Sequence, residues 1–157
     1  MTLHLAPDIK RILVPIDFSS NSRNALDYAH GLALKLNAAL HLLHVCELPG
    51  VGTPALDAYA IAYTDWNQRL GEEAAKELNK LTAALGDIPA TTEVLFGRPA
   101  STIVHAAGTN NSDLIVMGTH GHGPVMHALM GNVAERVVRT APCPVLTVRE
   151  PLEKPPS

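Results

Sequence analysis

Between residues 118 and 132 the chain reads GTHGHGPVMHALMGN, with four glycines, three histidines and neither lysine nor arginine. Glycine loses backbone entropy on folding, so a cluster of glycines marks positive φ or a close approach to the backbone. The segment leads from an apolar stretch, DLIVM (113–117), to NVAERVVRT (132–140), which has the pattern of a helix. A glycine-rich passage from a strand end into a helix N-terminus offers unpaired N–H groups and the positive end of a helix dipole, which together suit an anion. Gly131 and Asn132 would present those groups directly. The plainer alternative is a turn that only connects strand to helix, although four glycines exceed what one turn needs.

What is missing narrows the kind of anion site. No lysine falls between Lys80 and Lys154, so GxxxxGK[ST] is absent, and a phosphate would rest on backbone amides, Asn132 and the histidines. The glycine spacing is also wrong for the dinucleotide fingerprint GxGxxG. His120, His122 and His127 raise the question of a metal, but no carboxylate or cysteine stands nearby in sequence to complete a coordination sphere. We expect loop histidines beside a phosphate or in solvent. His41 and His44, three apart in ALHLLHV, fall on opposite faces of a strand and read as histidines satisfied within the protein. Met126 and Met130 read as core filling. There is no nucleophile elbow, no motif of paired carboxylates and no lysine placed for phosphoryl transfer, so a fast enzyme is not expected.

The elements that must position this segment are legible as alternating patterns. RILVPID (11–17), ALHLLHV (39–45), TEVLFG (92–97), DLIVMG (113–118) and PVLTVR (144–149) are short apolar runs of strand type. Between them, 20–37 places Ala25, Tyr28, Ala29, Leu32 and Leu36 on one helical stripe, and 57–85 aligns Leu70, Ala74, Leu78, Leu81 and Leu85. Shorter helices are expected from Pro99 and over NVAERVVRT, which Ala141 and Pro142 close. Five strands alternating with helices predict a doubly wound α/β domain with a parallel sheet covered on both faces. Ligands of such sheets sit at the strands' carboxyl ends where the strand order reverses, so Asp17 and the glycine loop would face one crevice if the first and fourth strands are neighbours. Residues 47–56, ELPGVGTPAL, read as a mobile connection, and the proline-rich 151–157 as a disordered tail after a single domain over 1–150.

Composition fits one compact domain: 157 residues, 46% hydrophobic, with 12 basic and 15 acidic residues scattered along the chain. No basic patch suggests nucleic acid, and no run approaches a membrane span or a signal peptide, so the expectation is a soluble cytoplasmic protein. Cys46 and Cys143 have no metal-ligand or disulfide spacing and read as core residues in a reducing compartment.

Gly118, two residues, Gly121, nine residues, Gly131 and a polar residue resemble the ATP-binding motif G-x2-G-x9-G-[ST] of the universal stress protein family. KRILVPIDFSSNSRNAL, GRPASTIV, SDLIVMGTHG and APCPVLTVR resemble other parts of that family, so the likeness covers nearly the whole chain. It implies a three-layer α/β/α sandwich of the adenine nucleotide alpha hydrolase type, with strand order 3-2-1-4-5. It also implies a regulatory module in stress response that binds ATP, with or without Mg²⁺. Carried over by position, adenine and ribose would lie against Pro15, Ile16, Asp17 and Val45, with Met117 and Gly118 opposite. Gly121, His122, Gly123, Gly131, Asn132 and Val133 would surround the phosphates. Asp17 has a local alternative as the N-cap of the first helix. Asn132 stands where the motif has Ser or Thr, and His122 where arginine is frequent, which leaves open a member that binds no nucleotide. At most, slow ATP hydrolysis with Mg²⁺ near Asp17 is expected. The resemblance further implies a homodimer through the last strand, Val145, Leu146, Thr147 and Val148.

Overall fold

The computed structural model describes residues 7–47, 56–120 and 130–150, without the side chains of 56–63. The element order is β1 (Arg11–Pro15), α1 (Ser20–Leu36), β2 (Ala39–Cys46), α2 (Leu56–Ala83), β3 (Ala90–Phe96), α3 (Pro99–Thr109), β4 (Leu114–Gly118), α4 (Asn132–Thr140) and β5 (Val145–Val148). All strands pair in parallel in the order β3-β2-β1-β4-β5. The expected α/β fold and strand order are therefore present. The connection at 47–56 falls mostly on residues outside the description, as does the tail 151–157, and α2 begins at Leu56, inside the segment expected to be loop.

Runs apolar on both sides make strands buried on both faces, and here they divide the core in two. On one face Ile12, Val14, Leu40, Leu42, Leu114 and Val116 pack with α1 and α2 residues including Ala25, Ala29 and Leu78. On the other, Leu13, Leu43, Ile115 and Met117 pack with Ile103, Ala106 and Ala107 of α3 and Ala134 and Val137 of α4. The α1 stripe differs from the sequence expectation: Ser22, Ala25, Leu26, Ala29 and Ala33 are buried, while Tyr28 is 54% and Leu36 37% exposed. The small residues win because they let the helix lie close against β4, whose Gly118 approaches α1 so tightly that a Cβ there would stand 3.0 Å from the carbonyl of Asn21. Cys46 is buried as expected, but Cys143 is only partly so. No helix among the described residues is long and apolar enough to cross a membrane.

The seam between β1 and β4 sets up the site. At its lower end Asp113 Oδ2 accepts from the backbone N–H groups of Lys10 and Arg11, both at 2.9 Å, and the Asp113 N–H donates to the Arg11 carbonyl at 2.9 Å. Pairing runs through Ile12 with Leu114 and Leu13 with Ile115. It continues on the β2 side to Pro15 opposite Leu43, and the Ile16 N–H donates to the Leu43 carbonyl at 2.8 Å. Because successive N–H groups alternate in direction, the one Pro15 lacks is the one that would have pointed at β4. The helix after β1 leaves on one face and the helix after β4 on the other, so the seam opens upward at the point where the strand order reverses.

Candidate functional site

A cleft of about 400 Å³ occupies that opening. Its floor is apolar: Leu43, Val45, Ile103 and Met117 belong to, or pack against, the core between the sheet and α3 and α4. Pro15, Ile16 and Asp17 form the β1 wall, and Gly118, Thr119, Gly131, Asn132 and Val133 the β4–α4 wall. Of the sequence-predicted site residues, Pro15, Ile16, Asp17, Val45, Met117, Gly118, Gly131, Asn132 and Val133 thus converge on one cleft. Gly121, His122 and Gly123, with Met126 and His127, lie outside the described residues. Met130 packs against the α3–α4 core, as expected.

The β1 wall is held by short polar contacts. Asp17 Oδ1 accepts from the Ser19 N–H at 2.9 Å and from the Ser19 hydroxyl in a short contact. Ser19 is the N-cap of α1: its Oγ accepts from the Ser22 N–H at 3.2 Å. The alternative reading of Asp17 as that cap is therefore corrected; the carboxylate sits one step earlier and fixes the serine that caps. The Ser22 hydroxyl lies within 3.3 Å of the Asp17 N–H and also donates to the Ser19 carbonyl. Ser19 and Ser22 are 6% and 5% exposed, so the low local dielectric strengthens these bonds.

Phe18 turns the chain here with φ of 64°, a left-handed conformation uncommon for a bulky residue. Its ring lies 4.7 Å from that of His44. His44 Nδ1 is 2.7 Å from the Ile16 carbonyl, which only accepts, so Nδ1 carries the proton. His44, on the far side of the sheet from the cleft, thereby anchors the turn that presents Asp17. The other strand histidine, His41, is satisfied on the opposite face by Thr91 Oγ1 at 2.7 Å and Glu93 Oε2 at 2.9 Å. Both histidines are satisfied within the protein, as the strand pattern implied.

The β4–α4 wall answers the question of the glycines. Gly131 is the N-cap of α4 at φ −71° and ψ 161°, which any residue adopts; its need is space, since a Cβ would stand 3.0 Å from the Thr119 carbonyl. The Gly131 N–H donates to that carbonyl at 2.6 Å, joining the two ends of the loop. This corrects the expectation that Gly131 presents its N–H to a ligand. The N–H groups left at the start of α4 are those of Asn132, Val133 and Ala134, all at the cleft. Ser22, Glu47, Pro99, Thr119 and Ala134 also line the cleft without having been singled out from sequence. Glu47, directly after β2, and Thr119, directly after β4, were findable from their places at strand ends; the others are known only from packing. Among the described residues no group of three or more His, Cys, Asp or Glu side chains could hold a metal ion.

The same organisation is found in known proteins. The family model for the universal stress protein family matches residues 8–149. A universal stress protein of Methanocaldococcus jannaschii is 37% identical over 143 residues, covering 90% of this chain and 83% of its own. Among solved structures, the universal stress protein UspA of Lactobacillus plantarum superposes with a TM-score of 0.77 at 29% identity, covering 92% of this chain and all of its own. A universal stress protein solved in complex with cAMP shares the fold with a TM-score of 0.62 at 24% identity, over 90% of this chain and 98% of its own. With the strand order, the split seam and a sequence match spanning nearly every element, the chain belongs to the universal stress protein family.

Proposed function

We propose that this chain is a nucleotide-binding regulatory module of stress response that takes ATP, with or without Mg²⁺, in the cleft between β1 and β4. The observation that carries the reading is the cleft's division of labour: an apolar floor for a base, the Asp17 carboxylate on one wall for hydroxyl donors, and the α4 N-terminus on the other for phosphate. Gly121, His122 and Gly123 would complete the phosphate end in the family pattern. Two carboxylates at the cleft, Asp17 and Glu47, are the groups that would face a magnesium ion. That one relative of this fold was solved with cAMP is in keeping with a nucleotide here. The two free cysteines suit the cytoplasm, where thiols stay reduced. Titration calorimetry with ATP and Mg²⁺ tests the reading: micromolar binding by the native chain, lost in Gly131→Val, is expected, and no binding by the native chain would sink it.

A second reading rests on the edge of the sheet. β5 has β4 on one side only, and a groove of about 560 Å³ bounded by Asn24, Tyr28, Leu146 and Arg149 runs beside it. An open apolar edge invites pairing, so Val145, Leu146, Thr147 and Val148 would join two copies in a homodimer. With Asn132 and His122 in place of the family's usual residues, such a dimer could act without nucleotide. Light scattering at micromolar concentration distinguishes the cases: a dimer is expected, and a monomer refutes it.

A further inference from the structure

We infer that His44, which does not line the cleft, is a positioning residue for it: from the opposite face of the sheet it holds the turn after β1 in the shape that a ligand meets. The inference rests on the nucleotide reading above and names a residue that sets the affinity of that site. Leu43 and Val45, its neighbours in β2, line the cleft, so His44 points to the other face. There its Nδ1–H donates to the Ile16 carbonyl at 2.7 Å. That carbonyl belongs to the same peptide unit as the Asp17 N–H, which donates to the Ser22 hydroxyl at 3.3 Å. A trans peptide is planar, with its carbonyl and N–H pointing in opposite directions, so gripping both fixes the rotation of the unit that joins two residues of the cleft wall. The Ile16 N–H, tied to the Leu43 carbonyl at 2.8 Å, fixes the unit before it.

The next residue shows why the turn needs holding. Phe18 has φ of 64°, where a side chain with a Cβ crowds its own backbone, so the conformation persists only if other contacts offset its cost. The Phe18 ring packs at the edge of the core between the sheet and α1 and α2, and its centroid lies 4.7 Å from that of the His44 ring, the planes tilted by 37°. One imidazole therefore holds the turn at two points, by its N–H at Ile16 and by its ring at Phe18. Asparagine could donate but not stack, and phenylalanine could stack but not donate. Without this brace the backbone at Phe18 is free to leave the left-handed region, and the rotation passes back to Asp17 on the wall.

The test is calorimetry of the full chain with adenosine and with ATP and Mg²⁺, for the native protein, His44→Phe and His44→Asn. His44→Phe, which loses the donor, should weaken both compounds by about tenfold, and His44→Asn, which keeps one, should recover most of that loss. The two compounds should lose the same factor, because the turn walls the β1 side and leaves the α4 terminus alone. Native affinity in His44→Phe, or a loss confined to ATP, would overturn the inference while leaving the nucleotide reading intact. Binding of neither compound by the native chain would remove that reading and this inference with it. A measurement on the native chain alone guards against a variant that does not fold. If His44 favours binding, linkage requires that the ligand in turn favours the His44 bond, so adenosine should slow hydrogen exchange of the Nδ1–H followed by NMR. Exchange that adenosine leaves unchanged would overturn the inference, since a histidine that only fills space behind the sheet would show no such response.

Discussion

Each end of the β1–β4 seam carries an aspartate, and the two ends behave oppositely. At the lower end one side chain, Asp113, ties the start of β1 to the start of β4 through two backbone N–H groups. At the upper end Pro15 withholds an N–H, the chain turns at Phe18, and Asp17 Oδ1 accepts from Ser19 of its own segment. The lower aspartate bridges the two strand starts, whereas at the upper end Pro15 offers β4 no N–H to pair. The cleft thus owes its place to a missing cross-strand bond as much as to any residue that lines it.

Four measurements sharpen or break this contrast. Ile115→Ala, in the fully buried middle of β4, should lower stability by about 2–5 kcal/mol in urea unfolding and weaken both ends together. Gly118→Val is expected to cost about 1–3 kcal/mol, because its Cβ would meet the backbone of Asn21, and to reduce nucleotide affinity as the upper end shifts. Asp113→Ala should cost about 1–2 kcal/mol by leaving two N–H groups without their acceptor. Nucleotide affinity should be retained in that variant; if it falls in step with stability, the two ends are not independent. The smallest effect is chemical. Burial, and then the Asp113 carboxylate, push the Cys143 thiol up, against a smaller opposing pull from the Ile115 backbone. Its alkylation at pH 8 should therefore be slower than that of free cysteine, and Asp113→Asn should speed it slightly.

Much of the fold is written in local pattern. The helix over 132–140 follows residue for residue from NVAERVVRT and the Ala141–Pro142 stop, and the five strands lie within two residues of their apolar runs. The α1 stripe was less legible, because periodicity cannot tell Tyr28 from Ala29 when the deciding quantity is how closely a helix must approach a glycine in β4. In the site, Asp17 and Gly118 were readable because a doubly wound sheet places ligands at strand ends, whereas Val45 and Met117 followed only from the family resemblance. Ile103 was not, since nothing in its local sequence separates a cleft residue from a core residue.

By itself the sequence determined the elements, their class and the absence of any lysine or arginine from the glycine segment, all of which depend only on residue type and spacing. Tertiary structure decided which N–H groups remain for a ligand. Gly131 reads in sequence as a donor, yet its N–H is bonded to Thr119, twelve residues earlier in the chain, at 2.6 Å. A backbone amide has the same chemistry in every residue but proline, so its partner is chosen by where the fold brings the nearest carbonyl, and composition has no means of recording that.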